Sequence, residues 1–340
     1  MRKVRTTVPR VSVKQVAARA GVSLGTVSNV LNRPERVKAE TRERVQAAIK
    51  DLGFVRNDAA RQLRAGSSRS IGLLVLDTTN PFFMDLARGA DRAALSHGYT
   101  VVLGNTDGSA EREDAYLDLF MQQQVAGILI TPVSTSADHL TALAARKLPT
   151  VLVDQSPGEI PGLSSVSVDD RLGARLAVEH LLSLGRRDLL FLGGPDSIPQ
   201  VRDRTDGARE AVQAVPGAHL RVVNTEHLGI EDGLAAGSKL LLGTPPDAVF
   251  AANDLLAIGF MRAVQAHGGF SIPEDIAVVG YDDIPYAEML QIPLTSIHQP
   301  AEEIGEAAVE MLLGGHLDDN PHQLFEPGLT VRNSTVNPGS

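Results

Sequence analysis

Seven apolar runs of three to six residues, set among longer stretches of helical character, constrain this chain more than any other feature. The runs are Ile71–Leu76, Thr100–Leu103, Gly127–Ile130, Thr150–Val153, Asp188–Leu192, Ala248–Ala251 and Ala277–Val279. Helical periodicity marks Phe82–His97, Glu111–Gln124, Arg171–Leu184, Ile230–Leu242 and Leu255–His267. Short runs that are apolar throughout suit strands buried on both faces. Their alternation with helices implies parallel sheets covered on both sides. The pattern occupies residues 71–340, more than one core comfortably holds, so it predicts two α/β subdomains.

In open α/β sheets, ligands bind beyond the carboxyl ends of the strands. Those positions are rich in Asp, Asn and Thr: Asp77, then Asn105 and Asp107, then Thr131, Asp154, Asn253-Asp254 and Asp282-Asp283. Each alone is an ordinary turn former. Together with an arginine they match a polyhydroxyl ligand, because every sugar hydroxyl both donates and accepts.

The first 70 residues read differently. In "VKQVAARAGVSLGTVSNVLN", Val13, Val16, Ala17 and Ala20 share one helix face. Ser12 is placed to cap that helix, and Gly21 allows a sharp corner. Ser23 caps a second helix with Val27, Val30 and Leu31 inward, leaving Leu24, Gly25, Thr26, Ser28 and Asn29 outward. A third helix, Ala39–Leu52, ends at Gly53. Small and hydrogen-bonding side chains at a helix N-terminus suit base edges in a major groove. Residues 1–70 carry 16 Lys and Arg against 5 Asp and Glu, a net +11, while the remainder carries −20. A basic head on an acidic body predicts that the head alone meets a polyanion. In the following "RNDAARQLRAGSSRS", Asp58 can cap a short helix Ala59–Leu63, too short to be stable without a partner.

The head, together with "VKAETRERVQAAIKDLGFVRNDAARQL", "IGLLVLDTTNPFF", "GILIT", "VDQ", "VRDRTDG", "AANDLLAIG" and "VVGYDD", resembles the lactose-repressor (LacI/GalR) family over nearly the whole chain. The resemblance implies a periplasmic-binding-protein-like body whose chain crosses between its halves three times, near 169, 297 and 328. It implies a helix-turn-helix head over 1–56, a hinge helix and linker over 57–70, an N-subdomain of 71–169 plus 298–327, and a C-subdomain of 170–297 plus 328–340. It implies DNA contacts at Ser12, Ser23, Leu24, Gly25, Thr26, Ser28, Asn29, Asn32 and Arg36. The hinge residues Asn57, Ala60 and Leu63 join them, with Leu63 matching a leucine that wedges into the minor groove. Effector contacts carry over to Asn80, Phe82, Asp154, Arg204, Asn253, Asp282 and Gln299, with Leu228 at a further contact position, and the strand-end reading adds Asp77, Asn105 and Thr131. Arg204, Asn253 and Asp282 are expected from one subdomain, Phe82 and Asp154 from the other. Leu228 departs from the aromatic that several relatives place there, which disfavours a flat purine. Leu24 and Gly25 lack the base-reading side chains of some members, so no relative's operator can be copied.

Rival functions find little support in the sequence. There is no cysteine, no H-E-x-x-H, no G-x-x-x-x-G-K-[ST], no G-x-G-x-x-G after a strand and no G-x-S-x-G at a strand-to-helix turn, the one match, Gly21–Gly25, lying between two helices of the head. No run of about 18 apolar residues occurs, and the N-terminus has no apolar signal region. The expectation is a cytoplasmic, nucleoid-associated transcriptional repressor without enzymatic activity, cofactor or metal. It would bind near-palindromic double-stranded DNA as a homodimer, under control of a sugar-like effector held in the inter-subdomain cleft. The alternative is a repressor of the same fold that answers to a purine, a nucleoside or a protein co-regulator.

Overall fold

The computed structural model describes residues 11–54, 68–134, 136–155, 163–315 and 317–336. The chain forms two units, Met1–Gly66 and Ser67–Ser340.

The first unit contains α1 (Val13–Ala20), α2 (Leu24–Asn32), a single 3-10 turn at Pro34–Arg36, and α3 (Ala39–Leu52). Ser12 starts α1 reciprocally: its hydroxyl accepts the Gln15 N–H at 3.4 Å, and the Gln15 side chain accepts the Ser12 N–H at 2.8 Å. The corner before α2 needs a left-handed residue, and Gly21 supplies it at φ 65°. Val16, Ala17, Ala20, Val27, Val30, Val45 and Ala48 close one small core.

The second unit holds two six-stranded sheets. The first contains β1 (Ser70–Val75), β2 (Thr100–Asn105), β3 (Gly127–Ile130), β4 (Thr150–Val153), β5 (Ser164–Val168) and β11 (His322–Phe325), in the order β11-β5-β4-β3-β1-β2. The second contains β6 (Asp188–Gly193), β7 (His219–Asn224), β8 (Ala248–Ala251), β9 (Ala277–Asp282), β10 (Thr295–His298) and β12 (Gly328–Thr330), in the order β12-β10-β9-β8-β6-β7. All pairs are parallel except β10–β12. Helices α4 (Pro81–Ser96), α5 (Ala110–Gln122) and α6 (Ala137–Ala145) follow strands of the first sheet. In the second, α7 (Asp170–Ser183) precedes β6. After it come α8 (Pro199–Gln213), α9 (Ile230–Leu240), α10 (Asp254–His267) and the short α11 (Pro285–Met289).

The chain leaves the first sheet at Asp169, returns at Gln299-Pro300 into α12 (Ala301–Leu313), and leaves again at Glu326-Pro327. Helix α12 is fixed to the first half by close backbone packing on α4. A Cβ at Gly89 would lie 2.0 Å from the Glu302 carbonyl, and one at Gly305 would lie 2.1 Å from the Leu86 carbonyl.

Several elements have no unbroken apolar run to announce them. Strand β5 is "SSVSV", and the edge strands β7 and β11 are largely uncovered and keep polar residues. Strand β9 continues to Asp282, beyond its apolar start, because Gly280, Tyr281 and Asp282 stay paired with β10.

Candidate functional site

Both sheets reverse strand order beside their first strand, between β1 and β3 and between β6 and β8. A crevice opens at such a reversal, outside the carboxyl ends of the strands. The two crevices face one cavity of about 430 Å³. From the first half come Leu76 and Asp77 after β1, Asn80, Phe82 and Phe83 at the start of α4, Asp107 after β2, Pro132 and Val133 after β3, and Asp154 after β4. From the second come Gln200 and Arg204 on α8, Leu228 after β7, Asn253 after β8 and Asp282 at the end of β9, with Gln299 at a crossing.

The polar side chains hold one another across the cleft. Asn80 caps α4 by accepting the Phe82 N–H at 3.1 Å and donates to Asp282 Oδ2 at 2.9 Å. Gln299 donates to Asp282 Oδ1 at 2.7 Å. Gln200 reaches over to Asp154, donating to its carbonyl at 2.5 Å and its carboxylate at 2.9 Å. Arg204 is buried and gripped from three sides. Its Nε donates to Asp170 at 2.7 Å, its Nη1 donates to the Ala252 carbonyl at 2.5 Å, and its guanidinium lies 3.6 Å from the Tyr281 ring centre. Asn253 spends both ends of its amide on the fold: it accepts the Leu256 N–H and donates to the Leu228 carbonyl.

Burial and repulsion from Asp170 hold the Asp154 carboxyl well above the usual carboxylate range, with Arg204 opposing. Burial pushes Asp282 up to about 6, against the pull of Arg204, Asn80 and Gln299. Among the described residues that line the cavity, three acceptor oxygens are buried without a hydrogen-bond partner: Asp154 Oδ1, Gln200 Oε1 and Gln299 Oε1. Asp154, Asp282 and Asp283 sit at positive φ, 56°, 102° and 54°, a conformation Asp tolerates better than most residues.

Of the eleven residues expected at an effector site, nine line the cavity and two do not. Asn105 turns instead to its own loop, accepting the Asp107 N–H at 3.3 Å, and it is Asp107 that reaches the wall. Thr131 is buried just before the wall, which begins at Pro132. The strand-end rule finds the right loops but not which residue of each loop turns inward. It misses Gln200 altogether, because Gln200 sits inside the first turn of α8. Its signal was the four-residue spacing to Arg204, which puts both on one helix face.

On the head, Leu24, Gly25, Ser28 and Asn29 form the exposed face of α2, and Arg36 is exposed on the 3-10 turn. The Ser23 hydroxyl caps α2 through the Thr26 N–H at 3.1 Å and lies 2.9 Å from the Thr26 hydroxyl, while Ser12 is engaged with Gln15. Asn32 is the last residue of α2. Asn57, Ala60 and Leu63, and the hinge helix expected over Ala59–Leu63, lie outside the described residues.

Residues 12–57 match the family of bacterial regulatory proteins of the lacI type, and residues 68–325 match the periplasmic binding proteins and sugar binding domain of the LacI family. The ribose operon repressor of Bacillus subtilis is 37% identical over 304 residues, 89% of this chain and 91% of that protein. Among solved structures, the lac repressor dimer bound to operator and the anti-inducer ONPF superposes with a TM-score of 0.85 at 29% identity, covering 96% of this chain and all of that one. A LacI family transcriptional regulator from Enterococcus faecium with bound ribose does so with a TM-score of 0.70 at 30% identity, over 78% of this chain and 98% of that one.

Proposed function

This chain belongs to the LacI family, a DNA-binding transcriptional repressor under small-effector control, and we propose that its effector is a neutral pentose held in the cleft between the two sheets. The observation that carries the proposal is the polar set that lines one cavity, Asn80, Asp154, Gln200, Arg204, Asp282 and Gln299, in which Asp154 Oδ1, Gln200 Oε1 and Gln299 Oε1 have no hydrogen-bond partner. A buried acceptor without a donor costs about 1–3 kcal/mol, and a ligand hydroxyl removes that cost. Hydroxyls also accept from the arginine, which a ligand of donors alone could not do. An anionic ligand would meet the buried carboxyl groups of Asp154 and Asp282, with Asp77, Asp107 and Glu226 also on the cavity wall. A purine would find Leu228 where a stacking ring is needed, with Phe82, Phe83 and His227 as the rings among the described residues that line the cavity. The likeness to a ribose operon repressor makes D-ribose the first pentose to test.

In this reading the homodimer places two α2 helices in successive major grooves of a near-palindrome. Ser28, Asn29 and the exposed Leu24 meet base edges, the last suited to a thymine methyl. Asn57, Ala60 and Leu63 carry the hinge contact. Effector bound to both halves favours one arrangement of the body and shifts operator affinity by its differential affinity for the two states.

Isothermal calorimetry with D-ribose, other pentoses, hexoses, guanine and hypoxanthine, paired with operator gel shifts, tests this. The expected result is saturable binding of a pentose that changes operator affinity. Binding of a purine base alone would replace the sugar by the alternative effector class.

A further inference from the structure

Behind the cavity wall lies a buried acid that the cleft chemistry does not use. Glu113 on α5 is fully buried. Its Oε2 accepts the Val133 N–H at 2.8 Å, and its Oε1 lies 2.7 Å from His139 Nε2 near the start of α6, with neither of those two atoms aligned for a full hydrogen bond. Val133 and Pro132 form the β3–α6 side of the cavity. Pro132 has no N–H, and Thr131 is already tied into the sheet through the Leu74 carbonyl at 2.9 Å. The Val133 N–H is therefore where the wall itself is fastened to the body, and the fastening is a carboxylate. Burial raises the Glu113 carboxyl above its ordinary range, opposed by the Val133 N–H and His139 and aided by Asp114.

We propose that Glu113 is a positioning residue for effector binding, clamping the Pro132–Val133 wall from the side away from the ligand. The sugar then meets a wall already in place, and affinity does not pay for ordering the loop. The inference rests on the cleft being the effector site, but the clamp itself can be read without any effector.

The experiment has two arms on the full-length protein. Hydrogen exchange at Val133, resolved by fragmentation mass spectrometry without ligand, should be slow in the wild type. It should be at least about tenfold faster in Glu113→Ala and near wild type in Glu113→Gln, whose amide oxygen still accepts the N–H. Calorimetry with D-ribose should give about tenfold weaker binding for Glu113→Ala and recovery to within about twofold for Glu113→Gln, while operator affinity without sugar stays unchanged. If the alanine variant does not fold, the wild-type exchange rate and the glutamine variant still decide. A fast Val133 amide in the wild type, or a glutamine variant that both exchanges fast and binds weakly, overturns the clamp. So does a folded alanine variant with wild-type exchange and affinity. If D-ribose fails to bind the wild type, the pentose reading fails, and the exchange arm judges Glu113 alone.

Discussion

In the first half of the body the strands run β2-β1-β3-β4-β5, and in the second β7-β6-β8-β9-β10, the same order around the same kind of crevice. The walls they build are nevertheless unlike. The first half presents Leu76, Phe82, Phe83, Pro132 and Val133, with Asp154 and Asn80 as its buried polar groups. The second presents Gln200, Arg204, Asn253 and Asp282, all buried, with Asp170 and Tyr281 behind the arginine. Each half also lends apolar residues, Pro195, Ile198, Pro199, Val201 and Leu228 in the second, so what one topology yields is a wall carrying two phenylalanines on one side and a wall carrying a buried arginine on the other. The difference comes from side chains at equivalent strand ends and helix starts, not from the fold.

This division of labour can be broken most forcefully at Arg204. Removing a buried cation from among Asp170, Asp282 and Asp154 leaves carboxylates without compensation, which typically costs about 3–5 kcal/mol. Arg204→Ala is expected to lower the melting temperature of the body and to abolish measurable pentose binding. Arg204→Lys keeps the charge but loses the planar fork that serves Asp170 and the Ala252 carbonyl together, and should recover only part of either. Wild-type calorimetry on a folded Arg204→Ala would show that the grip lies elsewhere.

The next effect is at Asp282, where a hydrogen bond to a charged acceptor is worth roughly 1.5–3 kcal/mol. Asp282→Ala should weaken the pentose about tenfold to a hundredfold and leave operator binding without sugar intact. Loss of operator binding in the folded variant would instead make Asp282, through Asn80 and Gln299, a brace between the halves.

A titration sharpens the same point. If, as proposed, a ligand hydroxyl donates to the ionised form of Asp282, protonation competes with binding. With its carboxyl at about 6, Asp282 should make affinity fall as pH drops through that value, by up to about tenfold per unit, beside whatever Asp154, held well above the usual carboxylate range, contributes. Asp282→Asn should remove the step near pH 6, and a wild-type profile flat from pH 5 to 8 would argue against a donated hydroxyl.

The smallest effect belongs to the phenylalanine wall. Phe82→Leu keeps most of the core volume under α4 but removes the flat ring. An aromatic contact contributes about 0.5–1.5 kcal/mol beyond its buried area, so affinity should fall by only about twofold to tenfold. A loss equal to that of Asp282→Ala would erase the contrast between the two walls.

The residues that the sequence located well share a reason. Asp77, Asp154 and Asn253 follow strands that end in an unbroken apolar run, so the run itself points to the loop. Asp282 is legible for the same reason even though β9 extends to include it. Arg204 and Gln299 came from the family resemblance, and nothing in local periodicity distinguishes Arg204 from Arg202. The former is buried against Tyr281, whereas the latter donates to the Asp196 and Ser197 carbonyls at the surface.

The sequence by itself determined the class of each part: capped amphipathic helices with a basic surplus in the head, and apolar runs alternating with helices in the body. Periodicity, capping and charge are local properties, and a chain carries them before it folds. Only the tertiary structure decided that Asp107 and Pro132 face the cavity in place of Asn105 and Thr131. It also decided that Asn253 spends its amide on the fold, that Gln200 reaches across to Asp154, and that Glu113 is buried behind Val133. Each of those outcomes depends on which groups meet between segments 20 to more than 200 residues apart, or on which way a loop turns once its neighbours are packed. A buried carboxylate or amide takes its role from the partner that relieves its desolvation, and that partner exists only after the sheets have assembled.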